Sequence, residues 1–466
     1  MHRITVSIFS MAALLLATAF IALAADFGEA PPFAGSEAPH SMNGRPMGPP
    51  PDGQDMPPKQ GDGRMGPPPG GMMQKAELKG DYVLDEGSVS LNDRLFASHA
   101  EDTSAIWVKK DGRLAVVNPT IQTSGNTSSN EGSSFFGLNA AVLTSEGGQI
   151  TLDKGTVSST GSGANGLFAT GKGSLIVAAN LAIRATGNGG HGAMTSDEGT
   201  IVLERCTIFT TEAHGAPIAT DRGGGTIDAT DCQLSAKGEG SPLLYSTGVL
   251  NGTRLTGDAA ISEAVVIEGK NYVTLNDCEL TGHKNGAMIY QSFSGDADGF
   301  GGVLRMTGGS FTAKKGALLY VTNTDADVTL SGTKVEADSG ILAKAAADRW
   351  GQAGSNGGRL RLKTERETMK GDLIAETGCS IDAELMDHTT LTGKTVNTGM
   401  KIDPTSKWEV TGPSSVSILT LIGEPNLERI HSHGFTVTYN AALPENNWLQ
   451  GQSHPLPGGG TLQPRH

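Results

Sequence analysis

Five stretches of this chain can be laid over one another: GQITLDKGTVSSTG (148–161), GTIVLERCTIFTTE (199–212), GTIDATDCQLSAKG (225–238), NYVTLNDCELTGHK (271–284) and ADVTLSGTKVEADSG (326–340). Each is a short alternating strand, then a small residue, then another apolar position. Aligning on that last position gives Ile121, Val157, Ile183, Ile208, Leu234, Leu255, Leu280, Phe311 and Val335, at spacings of 36, 26, 25, 26, 21, 25, 31 and 24 residues. The period is close to 25, with one insertion early and one near residue 295. A second strand recurs between these, as in GANGLFATGKG, GGHGAMTSDEG, GSPLLYSTG and NGAMIYQSFSG: a small residue, two or three apolar ones, then a polar turn. Such strands are too short for propeller blades and lack the leucine signature of leucine-rich repeats. They fit an all-β fold, a right-handed parallel β-helix whose coils bury alternate residues and stack ~4.8 Å apart. After Val335 the coils shorten to spacings of about 19–22 residues, as in TMKGDLIAETG (368–378) and TLTGKTVNTG (390–399).

The repeat fixes the boundaries. Residues 79–422 are expected to form the helix and 423–466, with Phe435, Tyr439 and Trp448, a C-terminal cap and tail. Residues 26–78 are a Pro/Gly/Met-rich spacer that cannot bury enough apolar surface to offset ordering entropy. Its thioethers (Met42, Met47, Met56, Met65, Met72, Met73) and His40 are a weak Cu(I) donor set at irregular spacing. Residues 1–25 read as a secretory signal peptide: His2 and Arg3, an apolar run from Ile8 to Leu23, and small residues at Ala22, Ala24 and Ala25. No second long apolar run exists, so no transmembrane helix is expected after cleavage, and the chain is expected to be exported: extracellular, cell-surface or periplasmic. A net charge of -14 disfavours nucleic acid and anionic lipid surfaces, so no nucleic-acid partner is expected.

The signal peptide, the spacer and the coils around SEAVVIEGKNYVTLNDCELTG and GALLYVTNTDADVTLSGT resemble the pectin-lyase-like β-helix superfamily, and more closely the bacterial secreted adhesin-like β-strand-repeat proteins. The resemblance implies an architecture shared by enzymes and passive rods, so activity must be read from sites. Polygalacturonases of that superfamily carry Asn-Thr-Asp, Asp-Asp, Gly-His-Gly and Arg-Ile-Lys in that order. Here Gly190-His191-Gly192, Asn323-Thr324-Asp325 and Arg361-Leu362-Lys363 occur in another order, and Asp-Asp is absent. An inverting hydrolase holds its carboxylates within about 10 Å, whereas five coils separate His191 from Asp325 by roughly 25 Å. His191 is therefore expected to be a solvent-facing turn residue before a strand, and no catalytic residue is assigned.

Acidic residues recur in the turn after the second strand: Asp197 and Glu198, Asp221, Glu268, Asp296 and Asp298, Asp325 and Asp327, Asp348. Asp296, Asp298, Asn323, Asp325 and Asp327 offer the hard oxygen ligands of a Ca²⁺ site, although polar turn chemistry alone accounts for the same residues. Cys206, Cys232 and Cys278 share a slot two residues before the aligned position. Side chains stacked at coil spacing sit slightly beyond disulfide reach, so an inward ladder of small residues is favoured over a Cys206–Cys232 bridge. Two functions survive: a non-catalytic adhesin-like rod making multivalent contacts with glycans or cell-surface proteins, or a polysaccharide lyase or glycoside hydrolase on the same helix. Scarce aromatics, 4 Trp and 6 Tyr, favour the rod, with Tyr245, Tyr290 and Tyr320 recurring at one strand end.

Overall fold

The computed structural model describes residues 76–292, 297 and 299–465. Residues 1–25, expected as a signal peptide, nearly all of 26–78, expected as a spacer, and Asp296 and Asp298 lie outside the described residues. Pro69–His466 belongs to one compact unit, a parallel β-solenoid of about 15 turns.

One coil shows how the sequence builds it. β13 (Ala193–Ser196), β14 (Gly199–Glu204) and β15 (Thr207–Thr210) follow one another around the axis. In β14 the pattern GTIVLE alternates buried and half-buried residues, so Ile201 and Leu203 enter the core while Thr200, Val202 and Glu204 face outward. Each strand pairs in parallel with its counterparts in the coils before and after: Ile201 aligns with Ile176 and Ile227, and Ile208 with Ile183 and Leu234. Stacking the repeat makes three faces. Face one is a sheet of 13 strands, β1 (Lys79–Leu84) to β37 (Thr395–Val396). Face two is an open ladder from β2 (Ser88–Asn92) to β44 (Thr461–Arg465), each strand pairing along the axis rather than closing a barrel. Face three is a sheet of 10 strands followed by one of 4.

Corners between faces two and three hold a left-handed residue in coil after coil: Asp93, Asn118, Lys154, Asn180, Arg205, Asp231, Arg254 and Asp277, all with φ between 50° and 63°. That conformation costs a non-glycine residue roughly 1–2 kcal/mol, which the geometry offsets with hydrogen bonds. The amide of each donates to a carbonyl of the next coil, as Asn180 does to Glu204 at 2.9 Å and Asp231 to Thr253 at 3.0 Å. Side chains also link along the corner: Asn118 Nδ2 donates to Asp93 at 2.6 Å, and Arg254 to Asp231 at 2.6 and 2.8 Å.

The aligned column is continuous in the core with one shift. Gly257, not Leu255, stands in register with Leu234 and Leu280. Leu255 instead occupies the slot of Cys206, Cys232 and Cys278, two residues earlier. Gly252 makes room for it, since a Cβ there would meet Leu255 Cδ1 at 2.6 Å, while one at Gly257 would meet Leu243 Cδ1 at 2.6 Å.

Insertions interrupt the period. The early one is α1 (Asn130–Phe136), capped by Ser129, whose hydroxyl accepts the Gly132 amide at 2.9 Å. Another, at residues 347–357, carries Trp350 and falls where the repeat spacing predicts no insertion. The parallel ladder also runs past residue 422, where the helix was expected to stop: β40 (Ser414–Leu421) pairs with β42 (Thr436–Asn440), and β42 with β44. The aromatics there pack sideways; Trp448 donates its indole N–H to Leu419 at 3.0 Å. No helix among the described residues is long and apolar enough to cross a membrane.

Candidate functional site: a groove along face one

Outward-facing residues of face one line a groove of about 820 Å³ that runs from α1, at Asn130 and Ser133, to the 347–357 insertion at Trp350. Its floor is set by register. Tyr245, Val266, Met288 and Tyr320 are successive partners across four coils, forming one outward row. Two residues further along the strands, Glu268 and Tyr290 are partners in a second row. The three tyrosines expected at one strand end therefore fall into two adjacent rows of the same face, and all are half-buried.

Glu268 organises them. It is 1% exposed, and its Oε2 accepts the phenolic hydroxyls of Tyr245 at 2.6 Å and Tyr290 at 2.8 Å, while Ser292 donates to Oε1. A buried carboxylate is tolerated only with such partners, and here it fixes the orientation of two aromatic rings. Tyr290 packs against Trp350 with centroids 5.2 Å apart and planes at 45°. Tyr320 donates to Asp348 Oδ2 at 2.8 Å; burial and that carboxylate raise its phenol above its ordinary value. The Arg349 guanidinium lies 4.6 Å over the Trp350 ring. Glu263, also buried, holds Ser262 at 3.0 Å, Asn285 at 3.1 Å and Lys284 at 3.2 Å. The result is an aromatic platform at one end with its polar groups engaged.

His191 sits at the other end, and it is not the solvent-facing residue expected. It is half-buried, and its Nδ1 accepts the Ala216 amide of the next coil at 3.0 Å while its own amide donates to Asn165 Oδ1 at 2.9 Å. Burial, assisted by the neighbouring His214, lowers its pKa to about 4, so near neutral pH the ring is uncharged.

The chain matches no protein-family model and no curated protein.

Of the residues assigned to a Ca²⁺ site, the solenoid places Asn323 at a corner with its amide nitrogen donating to the Gln291 carbonyl at 2.6 Å. Asp325 and Asp327 project from face two on β29 (Asp325–Ser331) toward arginines of the next coil: Arg359 lies 3.5 Å from Asp325, and Arg361 donates to Asp327 at 2.9 Å. Those two carboxylates are thus brought together with cations. Asp296 and Asp298 lie outside the described residues. The acidic column itself divides: Asp197 and Glu198 take left-handed turn conformations with φ 47° and 63°, while Glu268 turns into a strand and the groove floor. All four cysteines are free and buried. The Cys206 amide donates to Cys232 Sγ at 3.4 Å, consistent with a ladder of stacked thiols. Sequence reasoning missed Trp350 and the role of Glu268; the signal was the lone Trp in the polar segment just after Lys344, the register partner of Tyr320 in the next coil.

Proposed function

We propose that the chain is an exported, non-catalytic β-solenoid, adhesin-like, that holds an extended glycan along face one. The observation that carries this reading is the aromatic platform of face one: Tyr245 and Tyr290 held by the buried Glu268, Tyr320 held by Asp348, and Trp350 packed on Tyr290. Aromatic faces stack on pyranose rings, and the ~4.8 Å coil spacing is close to the length of one sugar unit, so successive coils meet successive sugars. Contacts repeated along the groove add by effective concentration. Net negative charge favours a neutral glycan over a polyuronate. The lyase or hydrolase reading is weaker because Glu263 and Glu268 each accept several hydrogen bonds, and Asp325 faces an arginine on another face. Export rests on the N-terminal segment and is checked by cell fractionation.

Calorimetry with neutral oligosaccharides, including xylan, mannan and cellulose fragments, is expected to give binding that weakens at least ~10-fold, about 1.4 kcal/mol, in Trp350→Ala and Tyr320→Ala. Absence of binding to every glycan tried rejects the groove as a glycan site, and release of reducing ends or unsaturated products on pectin, alginate or xylan transfers the function to the enzyme reading.

A further inference from the structure

Outside the groove, on face three, Glu409 ends β39 (Lys407–Glu409) and His431 ends β41 (Ile430–His431). The two strands pair in register, Trp408 with Ile430 and Glu409 with His431. Trp408 and Ile430 are fully buried, so the alternation of the strand sends Glu409 and His431 outward side by side. Two residues later the chain turns: His433 takes a left-handed φ of 49°, and its ring folds back edge-on to His431 with centroids 4.1 Å apart. The turn is anchored below by Ser432, whose buried hydroxyl donates to Pro457 at 2.6 Å and accepts the Gly460 amide at 2.8 Å. The following loop presses against the rings closely enough that only glycine fits at 458, since a Cβ there would lie 3.0 Å from His431 Cε1 and 2.7 Å from the His433 amide.

Three ligand atoms converge as a result. His433 Nε2 lies 2.9 Å from Glu409 Oε2 and 3.0 Å from His431 Nδ1, and His431 Nδ1 lies 3.4 Å from the same carboxylate oxygen. Each ring nitrogen offers either one hydrogen or one lone pair, so a proton can satisfy one edge of this triangle but not all three. A cation can: at metal–ligand distances of ~2.0–2.2 Å it sits about 1 Å out of the plane of the three atoms, equidistant from each. The other carboxylate oxygen is held by Lys407 Nζ at 3.1 Å, which leaves Oε2 directed at the imidazoles. The side chains are 42% (His431), 49% (His433) and 22% (Glu409) exposed, so an ion can enter and keep water in its remaining positions.

We propose that Glu409, His431 and His433 form a binding site for one divalent transition ion of the zinc class, two imidazoles and one carboxylate on adjacent coils. Imidazole donors select borderline ions over Ca²⁺ and Mg²⁺. The ion cross-links the two coils that carry the triad, adding to the C-terminal end of the solenoid a bond between neighbours that its hydrogen-bonded ladder lacks.

Untagged full chain, freed of metal with chelator, is titrated with Zn²⁺ by calorimetry and followed by imidazole NMR. Expected are one tight equivalent, shifts of the His431 and His433 ring signals, and a melting temperature that rises with Zn²⁺ but not Ca²⁺. In His431→Ala and in His433→Asn, where Asn suits the left-handed backbone, that equivalent weakens at least tenfold and the thermal shift disappears. Glu409→Gln, an outward change beside Lys407, gives the same loss without touching the turn. Melting of each variant in chelator within a few degrees of the parent shows that the fold is intact; a variant outside that range is set aside in favour of the other two. An unchanged tight equivalent in the folded variants, or Zn²⁺ titration that leaves the His431 and His433 signals unmoved, overturns the site.

Discussion

At His191 one ring nitrogen serves as the acceptor for an amide of the next coil, and that role requires it to be unprotonated there. With the folded pKa lowered to about 4 from the ordinary 6.5, the neutral ring contributes stability in full above pH 6.5. As pH falls from 6.5 toward 4, the unfolded chain takes up a proton that the folded one refuses, and that contribution is lost. The loss is about 1–2 kcal/mol once solvent screening of a half-buried ring is allowed for. His191→Gln keeps an acceptor but cannot titrate. Thermal melts from pH 7.5 to 4 are therefore expected to show a shallower acid-side decline for the variant than for the parent. Parallel curves would mean that His191 carries no proton linkage.

The coil is where sequence and structure compare best. Period, alternation and small residues at the turns were legible because each is a local pattern repeated a dozen times, and stacking like on like leaves little choice of register. The exception is instructive. Apolarity alone places Leu255 in the aligned column, but a leucine fits the cysteine slot because residue 252 is glycine, a coupling between two positions that neither reveals alone. Gly252→Ala alone is expected to destabilise by about 1–3 kcal/mol through overpacking against Leu255. Adding Leu255→Cys reproduces the Ala229 and Cys232 pair of the preceding coil and is expected to recover at least ~1 kcal/mol of that loss, a coupling of the size seen for contacting residues. Urea denaturation of the two single variants and the double variant measures it; strict additivity would show that the two slots do not share space. The groove was harder to read for the same reason. Tyr245 and Tyr320 are 75 residues apart in sequence yet three coils apart in space, and the insertion that brings Trp350 against Tyr290 breaks the very period used to find the coils. Likewise His431 and His433 form an evident pair, but Glu409 joins them only through strand register.

On the scale of the molecule, a solenoid is held by contacts between neighbouring coils, so its ends decide how it behaves in solution. A boundary at residue 422 would make the remainder dispensable. The ladder argues otherwise, because β42 and β44 extend face two beyond β40. Asn446 ties the same region sideways, accepting the Leu419 amide at 2.9 Å and donating to the Ser417 carbonyl at 2.7 Å. Removing residues 423–466 strips these partners from Val416, Leu419 and Trp408, all fully buried in the intact chain, and leaves a parallel edge of unpaired amides and carbonyls, the surface on which strands of other molecules add. The truncated chain is expected to self-associate on size-exclusion chromatography. Its hydrogen-exchange protection is expected to fall most in the coils nearest the cut and to recover toward α1, as nearest-neighbour coupling requires. A truncated protein that stays monomeric, with unchanged protection in residues 398–421, would place the stabilising end of the solenoid before residue 422 after all.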